Sequence, residues 1–136
     1  MLLEFRVRNY RSIRDEQALS LVASNADKEL AATHLAPTGV KALPSAVRSA
    51  VVAESATMIQ PGAVYNVQPF KLDAAFAQEP TEFEMSFVLD GIRHQYAFAM
   101  TPQRIISESL VVYRTSKPTQ WFSRRLADNG ESYEYD

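Results

Sequence analysis

The chain has 136 residues, 46% hydrophobic and 22% charged, which suits one globular domain with a real core. It has no cysteine, which excludes disulfides and thiolate metal sites, and its net charge of -2 gives no global attraction to nucleic acid or anionic lipid. Glu4 interrupts the opening apolar run and no apolar stretch is long enough to span a bilayer, so a cytoplasmic protein without membrane contact is expected.

"LLEFRVR" alternates Leu3, Phe5 and Val7 with Glu4, Arg6 and Arg8, the period of a strand with one buried face. "QALSLVAS" reads as a second strand, joined to the first by the short polar "RSIRDE" in a hairpin-like pairing. From Asn25 to Ser45 two prolines and a glycine break the periodicity. That stretch reads as a surface connection with a short helix between Asp27 and Leu35. "AVRSAVVA" predicts a buried strand centred on Ala50, Val51 and Val52, and Val64 to Phe70 a further short strand.

The clearest element is "TEFEMSFVLDGIRHQYAFAM". Asp90-Gly91 is a preferred two-residue turn, because a type I′ turn needs positive φ at both central positions. Setting Leu89 opposite Ile92 pairs Phe87 with His94, Met85 with Tyr96 and Phe83 with Phe98, and every apolar side chain then shares one face. "SESLVVYR", "TQWFSRRL" and "ESYEYD" continue an antiparallel meander, with Asn129-Gly130 as its next turn signal. The expected class is mainly β, or α/β with few helices.

Phe5-x-Val7-x-Asn9-Tyr10-Arg11-Ser12-Ile13 resembles the N-terminus of the RecF/SMC-like ATPases. These ABC-type P-loop proteins include DNA-repair ATPases and the AAA family ATPases of abortive infection and phage defence. The order of elements is similar along most of the chain, although the specific part of the resemblance covers only the first strand and its end. The resemblance implies ATP with Mg²⁺ as cofactor, with Arg11 and Ser12 approaching phosphate or ribose and Asn9 and Tyr10 shaping the strand end. It implies one partial ATPase-like domain over 1–136, with core-sheet strands and their connection in 1–52 and an antiparallel β subdomain in 53–136. It also sets residues 2–8 beside the strand ending near Val52.

The departure is as informative. In that family the buried strand leads into G-x-x-x-x-G-K-[ST], whose backbone N–H groups and lysine hold the phosphates. Here "SAVRSAVV" runs into "AESATMIQPG", and no Gly-Lys pair occurs in the sequence. A phosphate loop and its helix, on the order of 20 residues, are expected to be missing between about Val52 and Ala53. The family's signature motif, Walker B acid and switch histidine are also lacking, so a truncated or degenerate chain without hydrolysis of its own is expected. Losing the helix would bare an apolar sheet face, so the resemblance implies marginal stability and self-association or a partner protein. Two alternatives stand beside it: a divergent ATP-binding subunit completed by a partner, and an unrelated, non-enzymatic β-sandwich interaction module.

Other residues favour structural readings. His94 falls on the apolar hairpin face, as a hydrogen-bonded and partly buried histidine would, and His34 has no carboxylate at metal-ligand spacing. Glu79, Glu82 and Glu84 read as a solvated outer face, and Ser55, Ser107 and Ser109 lack a nucleophile-elbow context. In "RTSKPTQWFSRR" cations alternate with aromatics, a composition that can grip single-stranded nucleic acid. A strand with Trp121 buried and its arginines exposed accounts for the same letters.

Overall fold

The computed structural model describes residues 1–24, 31–41, 43–47 and 65–136. It is mainly β. Strands β1 (Leu2–Arg8), β2 (Gln17–Ser20), β5 (Thr81–Leu89), β6 (Ile92–Met100), β7 (Ile105–Tyr113), β8 (Thr119–Leu126) and β9 (Tyr133–Tyr135) form one antiparallel sheet of order β2-β1-β5-β6-β7-β8-β9. A separate hairpin pairs β3 (Leu35–Val40) with β4 (Leu43–Val47).

The β5–β6 hairpin has the register that its turn chemistry and pattern predict. Leu89 faces Ile92, Phe87 faces His94, Met85 faces Tyr96 and Phe83 faces Phe98. Asp90 and Gly91 have φ of 51° and 72°, as the turn requires. Phe83 stacks on Phe98 with 5.1 Å between ring centroids, and Phe5 of β1 reaches Phe83 at 6.2 Å. Cross-strand aromatic pairs of this kind hold the sheet together.

At the start of β1 the register shifts between Leu2 and Glu4. Leu3 is buried there with Ala46 and Val88, and Val40 and Leu43 pack against them. Gly39 brings the β3–β4 hairpin against the β5–β6 turn, since a Cβ on Gly39 would lie 3.4 Å from the Gly91 Cα.

Several expectations change. The segment 31–47 holds a four-residue helix, α1 (Ala31–His34), and the β3–β4 hairpin, where an irregular connection with one short helix was expected. Residues 65–70 form no strand. Their hydrogen bonds go to loops and side chains: Tyr65 N donates to Pro102 O, and Phe70 N to Asn9 Oδ1. Both edges of β1 are occupied, by β2 and β5, so the expected adjacency to a strand ending near Val52 is not found in this sheet. The strand expected at 50–52 and the proposed Val52–Ala53 junction lie outside the described residues. A single hydrogen-bonded sheet takes strands from both 1–52 and 53–136.

Candidate functional site

The end of β1 is a tightly determined turn. Tyr10 and Ile13 exchange two backbone hydrogen bonds of 2.8 Å, leaving Arg11 and Ser12 as its central residues. Arg11 takes a left-handed φ of 51°, and its N–H donates to Gln68 O at 2.7 Å. This conformation is strained for a side chain of that size, so the surrounding bonds must impose it.

Asn9 does much of that work. It is fully buried and left-handed, with φ of 54°. Its amide donates to Phe76 O, Glu79 O and Pro80 O at 2.8, 2.9 and 3.2 Å, and its carbonyl accepts from Phe70 N. Thr81 Oγ1 donates to the Asn9 backbone oxygen at 2.7 Å. Asn9 therefore ties the end of β1 to residues 70–81 and has no side-chain donor left for a ligand.

Arg11 and Ser12, by contrast, are exposed. The Arg11 guanidinium lies 5.2 Å from the Tyr10 ring centroid and has no ion pair among the described residues. Ser12 borders a shallow, open hollow with Ile13, Arg14, Asp15, Gln17 and Phe70. The neighbouring cations are engaged. Arg8 bonds Glu79 and Glu82 at 2.5 and 3.0 Å, and Arg14 bonds Asp15 at 2.9 Å. The hydrogen bond from Arg14 holds the Asp15 carboxyl below the usual carboxylate range. Arg8 and Arg14 also flank Phe76, at 5.2 and 5.7 Å.

This donor set fits an anionic oxygen, with one free guanidinium, one hydroxyl and a fixed backbone beneath them. It does not fit a Mg²⁺-triphosphate. Several converging N–H donors and a lysine are needed there, and among the described residues no group of three or more histidines and carboxylates could hold a metal.

A second concavity lies on the polar face of the sheet. A cavity of about 370 Å³ has Ala97, Ala99, Ser107, Ser109 and Ser123 as its floor. It is also lined by Arg6 with its partners Glu16 and Glu84, by Arg8 with Glu82, and by Arg125. The period-2 small residues of β6 and β7 were its sequence signal, and they went unread. Glu84 and Glu82 are ion-pair partners of Arg6 and Arg8 on β1.

His94 is buried as expected, with Nδ1 2.9 Å from Ile92 O and its ring stacked on Phe87 at 5.2 Å. His34 lies on α1 with Nδ1 2.7 Å from Thr33 Oγ1. The reading of Trp121 as a buried residue is overturned, since it is 52% exposed. A β-bulge lies at this residue. Leu110 pairs with Phe122 but Val111 pairs with Gln120, so Trp121 is an extra residue and leaves the alternation.

Compared with known proteins, the chain matches no family model, no curated protein and no solved structure.

Proposed function

We propose that the chain is a degenerate, non-hydrolysing relative of the RecF/SMC-like, ABC-type AAA family ATPases, in which the Arg11–Ser12 turn forms one wall of a nucleotide-phosphate site. The observation that carries the reading is the geometry of that turn. A buried asparagine and a ring of backbone bonds fix it, and the one cation it presents lacks a carboxylate partner among the described residues. Without a Gly-Lys phosphate loop in the sequence, this wall alone gives weak contact with ATP and Mg²⁺. A second copy or a partner protein supplies the rest, in the cytoplasm. Among the described residues no helix is long and apolar enough to cross a membrane.

Titration of the isotope-labelled chain with Mg-ATP, followed by amide NMR, tests the reading. Shifts are expected at residues 10–15 and at Phe70, with a dissociation constant on the order of 1 mM, and Arg11→Ala abolishes them. Nucleotide that leaves this turn unmoved overturns the proposal, as does hydrolysis of ATP by the purified chain.

One observation favours a non-enzymatic interaction module instead. All four residues of the edge strand β2 are exposed, and Leu19 on it is 56% exposed, which suits pairing with another chain.

A further inference from the structure

The lone tryptophan of the chain stands on the surface at the end of the sheet opposite the Arg11 turn. It lies at the bulge in β8, and bulges commonly re-aim a side chain next to a functional site. Leaving a tryptophan 52% exposed forgoes burial of one of the largest apolar side chains. The ring is nonetheless braced. His94 meets it edge-on at 6.1 Å, with planes at 85°, and Phe87 stacks behind His94.

The segment around it is rich in cations, and the carboxylate bonded to it next to Trp121 is that of Asp136, which accepts from Gln120 Nε2 at 3.0 Å. Residues 113–126 carry Arg114, Lys117, Arg124 and Arg125 and no carboxylate, in a chain of net charge -2. Arg124 is held by Glu108 at 2.6 Å, and Arg125 borders the polar-face cavity. Arg114 and Lys117 remain, without ion pairs among the described residues, and the Arg114 guanidinium lies 5.0 Å from the Trp121 ring centroid. A braced, exposed indole with Arg114 over one face and Lys117 on the turn before β8 offers a π-surface for a base and positive charge for the adjoining phosphates.

We propose that Trp121, Arg114 and Lys117 form a binding site for single-stranded nucleic acid, in which one base stacks on Trp121 and the two cations meet the flanking phosphates. The site is separate from the Arg11 turn, and its success or failure leaves the nucleotide reading untouched.

Trp121 is the only tryptophan, so its fluorescence reports this site alone. Oligo-dT is expected to quench it saturably. In parallel, the association constant measured by the anisotropy of a labelled oligo-dT should fall with salt at a log–log slope of about -1.4, for two phosphate contacts. Trp121→Ala, checked for folding by circular dichroism, should weaken binding about tenfold, while Trp121→Phe keeps most of it. Arg114→Ala combined with Lys117→Ala should flatten the salt dependence, and Lys71→Ala, at the far end of the sheet, should change nothing. The proposal fails if no saturable binding occurs, if Trp121→Ala binds like wild type, or if thymidine monophosphate quenches as well as the strand.

Discussion

Asn9 combines a backbone conformation that glycine adopts readily with a side chain that glycine cannot supply. Two substitutions separate these contributions. Asn9→Gly keeps the left-handed φ but leaves three part-buried carbonyls and the Phe70 N–H without their partner, which costs about 1–3 kcal/mol. Asn9→Asp keeps the acceptor for Phe70 but sets a buried negative charge against three carbonyl oxygens, at a cost of about 3–5 kcal/mol. Urea denaturation should therefore rank the aspartate variant below the glycine variant. The reverse order would mean that the acceptor for the Phe70 N–H, and not the amide donor, holds the turn. From sequence, Asn9, Arg11 and Ser12 stood out together as neighbours on a motif. Their division into one buried residue and two exposed ones was not legible, because the side-chain partners of Asn9 lie 61 to 71 positions away.

At the scale of elements, legibility followed how local the determining contacts are. The β5–β6 register could be read because the Asp90-Gly91 turn and the apolar alternation each select it. The bulge at Trp121 could not, since alternation sets Trp121 opposite Phe122 and only the pairing with β7 reveals the extra residue. The β3–β4 hairpin was hidden by Pro37 and Gly39, which read as loop residues but sit in a two-stranded ribbon where a proline is tolerated. Three strands are further linked by a polar set: the Tyr96 hydroxyl on β6 donates to Glu108 on β7, which also accepts from Arg124 on β8. Burial first, and the bond to Glu108 second, raise the Tyr96 pKa above its ordinary value of 10.0. The folded chain thus holds this proton more tightly than the unfolded chain. The resulting stability is complete below pH 10.0 and declines as pH rises past that value, where the unfolded tyrosine ionises first. Urea melts on either side of that pH should show the decline in wild type and a shallower one in Tyr96→Phe.

The whole molecule is built from contacts of two very different ranges. The meander from β5 to β9 closes through short connections, the tightest being the two-residue Asp90-Gly91 turn. β1 joins the same sheet only by bridging most of the chain, and the amino group of Met1 donates to Val88 O across 87 positions. Closing a loop of that length costs about 4 kcal/mol of chain entropy, before any contact in β1 repays it. The sheet edge offered by β5 must therefore exist before β1 can dock, which orders the folding events. Phe98, stacked on Phe83 within the meander, belongs to the early structure, whereas Phe5 on β1 reaches the same ring only after docking. Stopped-flow chevrons should then separate the two sites. Phe98→Ala slows folding by most of its loss in stability, while Phe5→Ala mainly speeds unfolding and leaves the folding rate nearly unchanged. If Phe5→Ala slows folding as much as Phe98→Ala does, β1 is already paired in the transition state. The long-range contact would then nucleate the sheet, and the Arg11 turn at its end would form early with it.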